Sequence, residues 1–156
     1  MRTTLFLLIF AICGIAGGSD PVLMLPDPAL TPGKVAGGSR DLRGVTFDMQ
    51  QRVFARYRIP RERQGQFKID HLIPMELGGA DDISNLWPQP LKIRPYNPHR
   101  KELLGKRLLE LVAAGSMTRT QAQELIRRDW ISAYVDYIGI VYLAPGAGHS
   151  PANPDR

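Results

Sequence analysis

The sequence predicts a small α+β domain, with a short two-stranded hairpin and a following helix set within a mainly helical chain. Two observations carry this. Strand-like runs occur only between residues 66 and 90, and each is closed by proline. Apolar residues at helical spacing flank them, over 46–57, 98–114 and 118–138.

The first element is not part of the domain. Residues 1–16 read as an export signal, with Arg2 beside the amino terminus, an apolar run from Leu5 to Ile12, and small residues at Gly14, Ala16, Gly17 and Gly18. Eight apolar residues are too few for a bilayer, which takes about 20. An uncleaved anchor is the alternative. Bulky Ile12 argues against lipid attachment at Cys13. The expected product is secreted or periplasmic, with no transmembrane segment. Cys13 is the only cysteine, so cleavage leaves no disulfide and no cysteine-based zinc site.

Residues 17–44 form a Pro/Gly-rich extended segment with turn sequences at Asp27-Pro28 and Thr31-Pro32-Gly33 and a loop at Gly37-Gly38-Ser39. Val22 to Leu25 read equally as a short strand or as linker. The domain is expected over 45–140. Its first helix runs from a Thr46 cap to Tyr57, with Met49, Val53 and Tyr57 on one face, and Pro60 prevents continuation. Gln66 to Ile73 reads as a strand with Phe67 and Ile69 on one side and Lys68 and Asp70 on the other, ended by Pro74.

Gly78 to Asp82 reads as a flexible loop. Ile83, Leu86 and Trp87 suggest a second strand stopped by Pro88 and Pro90. Asn97-Pro98 opens a helix with an apolar stripe of Leu104, Leu108, Leu111 and Val112, closed by Gly115. Thr118 to Gln121 is a capping-box pattern. It starts a last helix to about Ile138, with Ala122, Leu125, Ile126, Trp130, Ala133 and Tyr137 facing inward. Residues 144–156 are Pro/Gly-rich and expected to be disordered.

The net charge is +5 and the sequence pI 9.7, which moderately favours a polyanionic partner. One stretch carries chemistry. Asp70 and His71 are adjacent, Gly78-Gly79 follows, and Asn85 comes fourteen residues after the histidine. A carboxylate beside an imidazole offers a hard oxygen ligand and a base that works near neutral pH. Other hydrolase patterns are missing: the chain has no Gly-x-Ser-x-Gly elbow and no His-Glu-x-x-His.

The order strand, strand, helix, with Asp70-His71-Leu72-Ile73-Pro74, Gly78-Gly79 and Asn85-Leu86, resembles the HNH endonuclease family and its ββα-metal unit. The chain is also similar to a group of small exported HNH-like bacterial proteins. That likeness runs through Asp27-Pro28, Thr31-Pro32-Gly33, Asn85-Leu86-Trp87-Pro88, Lys101-Glu102, Ala122-Gln123 and Asp129-Trp130. It spans residues 27 to about 135, and only 70–90 are motif-dense.

The resemblance implies that Asp70 ligates a divalent metal, Mg2+ foremost, with Mn2+ or Zn2+ as alternatives. It implies His71 as the general base against a phosphodiester, and Asn85 as a loop brace that helps orient His71. A second ligand belongs at the start of the following helix. This sequence has Arg94 near that place, with Asn97 and His99 a few residues later as candidates.

Arg94, Arg100, Lys101 and Lys106 would hold the phosphates of nucleic acid, DNA ahead of RNA. Lys101 or Arg100 would also be placed to stabilise the transition state. The expected function is an exported metal-dependent endonuclease. The alternative is a catalytically weak or inactive module on the same fold that binds nucleic acid or another polyanion.

Plainer readings stand beside these. Asp70-His71 also reads as a structural pair, Asn85 as a turn cap and Asn97 as a helix N-cap. His99 also reads as a solvated side chain, and the helix cations as a solvated face with pairs such as Glu102–Lys106. Trp87 and Trp130 read as core. His149, in the tail, carries no assignment.

Overall fold

The computed structural model describes residues 25–37 and 44–139. Among them the helical spacing becomes three helices: α1 (Phe47–Arg56), α2 (Pro98–Ala113) and α3 (Arg119–Tyr137). The strand-like runs become one antiparallel pair, β1 (Phe67–His71) and β2 (Leu86–Pro90). Short 3-10 helices at Arg61–Gln66 and Met75–Leu77 lead into β1 and follow it. The α+β class is as expected.

Each helix begins where a side chain answers its free N–H groups. Thr46 accepts from Met49 N at 3.2 Å, and Asn97 accepts from Arg100 N at 3.1 Å with Pro98 at the first position. Thr118 and Gln121 form the reciprocal capping box. The α2 end is a Schellman turn. Ser116 N donates to Leu111 O and Gly115 N to Val112 O, with Gly115 at φ +70.

Three expectations need correction. The second strand does not stop at Pro88, which lies inside β2 opposite Ile69. A two-stranded sheet gives each strand a free edge, so a missing N–H is tolerated there. The last helix is not continuous either. Asp129 leaves helical geometry at φ −165, ψ 96, and its Oδ1 accepts from Ile131 N at 2.9 Å and Ser132 N at 3.1 Å. It caps a second helical stretch from within, as short acidic side chains do when they compete for backbone donors. Beyond it Tyr134 is buried, whereas Tyr137 is only half-buried.

The third correction concerns the Pro/Gly-rich segment, whose described part is docked onto the domain. Thr31 is buried, donates to Leu86 O at 2.8 Å and shares a hydrogen bond with Tyr57 Oη. Gly33 N donates to Ser84 O, Ala36 N to Gly78 O, and Ala80 N to Lys34 O. The domain therefore includes residues before 45. The export signal, Val22 to Met24 and the 144–156 tail lie outside the described residues. No described helix is long and apolar enough to cross a membrane.

The core gathers Leu72, Ile73 and Leu77 after β1, Trp87 of β2, Leu104 and Leu108 of α2, and Ala122, Ile126, Trp130 and Tyr134 of α3. Burying each large apolar side chain contributes about 1.5–3 kcal/mol. This packing sets the first turns of α2 against the end of β1. There Lys101 Nζ reaches Asp70 Oδ2 at 2.8 Å.

Candidate functional site

The site is built by a loop that folds back under the end of β1. Asn85 is its brace. Fully buried, its Oδ1 accepts from Ile73 N at 2.9 Å, and its Nδ2 donates to Ile73 O and Ala80 O, each at 3.0 Å. Two glycines allow the approach. Gly78 sits at φ +91, and a Cβ on Gly79 would lie 1.8 Å from Ile73 O. Leu72 N closes the hairpin on Asn85 O at 2.7 Å.

The folded-back loop delivers Asp81 to His71. Asp81 Oδ1 lies 2.6 Å from His71 Nε2, and the two side chains are 7% and 18% exposed. An ionised Asp81 accepts a hydrogen bond from Nε2–H and so holds that tautomer, leaving Nδ1 with its lone pair. Nothing among the described residues hydrogen-bonds to Nδ1. His71 lines a cleft of about 350 Å³ between the end of β1 and α2, together with Lys68, Asp70, Glu76, Lys101, Glu102 and Lys106.

Asp70 is held by ammonium groups. Lys101 lies 2.8 Å from Oδ2 and Lys68 3.2 Å from Oδ1. Burial pushes the Asp70 carboxyl up, but the two lysines outweigh it and hold the group below the usual carboxylate range. Lys101 is itself buried, and it also donates to the backbone carbonyl of His71.

The other sequence candidates scatter. Asn97 caps α2, so its side-chain oxygen is engaged in the plain reading given above. His99 is exposed, and neither it nor Asn97 lines the cleft. Arg94 is exposed and also lies off the cleft wall. Arg100 turns away from the cleft to α3, donating to Tyr134 Oη at 2.7 Å and lying 5.7 Å from that ring's centre. Lys106 stays on the cleft rim, paired with Glu102 at 2.8 Å. Asn85 braces the loop without touching the imidazole. It acts on His71 only through the loop backbone.

Comparison with protein-family models, curated proteins and solved structures returned no match.

The divalent cation implied by the HNH resemblance fits these residues poorly. Its predicted carboxylate is taken by two ammonium groups, and its predicted helix ligands are a cap and an exposed side chain. Among the described residues no group of three His, Cys, Asp or Glu side chains is placed to hold a metal. Sequence reading also missed Asp81. The signal was present in the pair of acids following Gly78-Gly79, but their placement depends on the turn closing under Asn85.

Proposed function

We propose that the protein is an exported nuclease of the HNH kind, hydrolysing phosphodiester bonds of nucleic acid in this cleft with His71 as general base. β1, β2 and α2 would be its ββα unit. The observation that carries the reading is the His71–Asp81 pair, with Nδ1 unpaired among the described residues, at the end of a strand that lines a cleft with three lysines and three acids.

The chemistry follows from that pair. Water attacks phosphorus and gives its proton to His71 Nδ1. Asp81, on Nε2, stabilises the imidazolium that forms. A new P–O bond forms as the bond to the 3′ oxygen breaks, and that oxygen leaves with the electron pair and takes a proton from solvent. General base catalysis of this kind is worth about 10²–10⁴-fold. Lys68 and Lys106, now paired with Asp70 and Glu102, would turn to the phosphates of a bound strand.

The second reading is a binding module on the same fold. It is favoured by the ion-paired state of Asp70, which leaves no free carboxylate on the cleft wall at that point. Digestion of supercoiled plasmid and of RNA decides between them. The nuclease reading expects nicking that disappears in His71→Ala. Retention of DNA with a steep salt dependence and no cleavage under any condition favours the module. Export is tested by intact mass. Protein recovered from the envelope or medium is expected to start at about residue 17–19, the small-residue pattern setting the cut.

A further inference from the structure

We infer that the Lys101 ammonium stands where the nuclease reading would require a divalent cation, so that the site neither needs nor takes one. This rests on the phosphodiesterase reading for its catalytic half. Its metal-binding half stands on the geometry alone.

Lys101 comes from the first turns of α2 and is 3% exposed, yet it lines the cleft. Lysine is almost never so buried unless it is paired. Here it bridges Asp70 Oδ2 and the His71 carbonyl oxygen, two hard oxygen acceptors. A small hard cation would seek the same two atoms. The occupant is instead covalently tied to the fold and carries one positive charge.

The count of donors gives it a role. An ammonium has three N–H groups. Two are used on Asp70 and His71, and the third has no partner among the described residues. A phosphate oxygen in the cleft would accept that third N–H. Charge building on the non-bridging oxygens would then meet a fixed cation that needs no reorganisation. His71 takes the proton from water, the P–O3′ bond breaks as the new P–O bond forms, and Lys101 keeps all its protons throughout. Asp70 is then a positioning residue, which orients the ammonium.

The alternative for the same atoms is that Lys101 swings out and a metal enters. The burial of the lysine and its two short contacts oppose that, because both contacts must break and the side chain must leave before an ion can reach either oxygen.

Two measurements on the full exported protein test the inference. In the first, Mn2+ is titrated into wild type at neutral pH and free Mn2+ is read by electron paramagnetic resonance. No binding is expected at millimolar metal. Lys101→Asn, which removes the ammonium and adds an oxygen donor, is expected to gain measurable binding. Saturable one-site binding to wild type would overturn the inference whether or not the protein cleaves anything.

In the second, single-turnover plasmid cleavage is followed with EDTA or with Mg2+. Equal rates are expected, with a loss of about 10²–10³-fold in Lys101→Met, the size seen when one charge-stabilising donor is removed. Circular dichroism establishes that the variant is folded, and the wild-type comparison stands without it. Cleavage that EDTA abolishes and Mg2+ restores would overturn the inference while leaving the nuclease reading intact. No cleavage in either condition would overturn the nuclease reading and the catalytic half of the inference together.

Discussion

Two neighbouring regions of this molecule are held by opposite means. Beneath the loop, Asn85 makes three neutral hydrogen bonds to backbone groups in full burial. A few residues away, the Lys101 ammonium holds Asp70 by charge, and a hydrogen bond joins His71 to the Asp81 carboxylate. The neutral brace fixes where the chain goes. The charged cluster depends on that geometry and carries reactivity. Damage to the first should therefore unfold the site, whereas damage to the second should retune it.

The largest effects are expected in the brace. Asn85→Ala leaves Ile73 N, Ile73 O and Ala80 O without partners, at about 1–3 kcal/mol each, so a loss of about 3 kcal/mol or more is expected in urea unfolding. Asn85→Asp keeps the acceptor for Ile73 N but loses both donors, and it sets a carboxylate against two carbonyls. It should be no better than alanine. Gly79→Ala should be as damaging, since its Cβ would meet backbone at 1.8 Å. A near-normal urea midpoint in any of these would break the contrast between the regions.

Next comes the buried ammonium. Asp70→Asn leaves Lys101 with a neutral partner and should destabilise by about 3 kcal/mol, the scale of a broken buried pair. Adding Lys101→Met to Asp70→Asn should recover much of that, because no charge is left stranded. Failure of the double variant to exceed Asp70→Asn in urea midpoint would show that Lys101 is solvated.

The same pair gives a pH dependence. Asp70 is held below its ordinary value of 3.8 in the folded state. Its contribution is therefore full above that value and is lost as pH falls through the lower folded value. The difference in urea midpoint between wild type and Asp70→Asn should be constant near neutrality and shrink in acid below about pH 4. A difference that grows in acid would reverse the sign and refute the pairing.

The smallest effect is at the break in α3. Asp129→Ala removes an internal cap and should cost about 1 kcal/mol with cleft chemistry unchanged. A variant that loses activity without losing stability would tie α3 to the site, which no described contact of Asp129 does.

Local chemistry was legible in the sequence and long-range placement was not. Thr46, Asn97 and the Thr118–Gln121 box each act within three residues, and each cap sits where spacing predicts. The break at Asp129 is also local, but the apolar stripe runs straight across it and hides it. Pro88 was misread because edge exposure belongs to the sheet and is not visible in the strand alone. Within the candidate site, Asp70 and His71 fall on the cleft as their motif suggests. The partners that set their chemistry could not be read. Asp81 meets His71 only after Gly79 lets the loop fold under Ile73. Lys101 lies 31 residues from Asp70 and looks from sequence like one more cation on a helix face.

The most direct test of the account is single-turnover cleavage of supercoiled plasmid by wild type, His71→Ala and Asp81→Asn, each confirmed as folded by circular dichroism. The account predicts nicking by wild type and a fall of at least about 10²-fold in His71→Ala. It predicts an intermediate fall in Asp81→Asn, which keeps the ring in place but weakens the stabilisation of its charge. Cleavage by His71→Ala at the wild-type rate would contradict it.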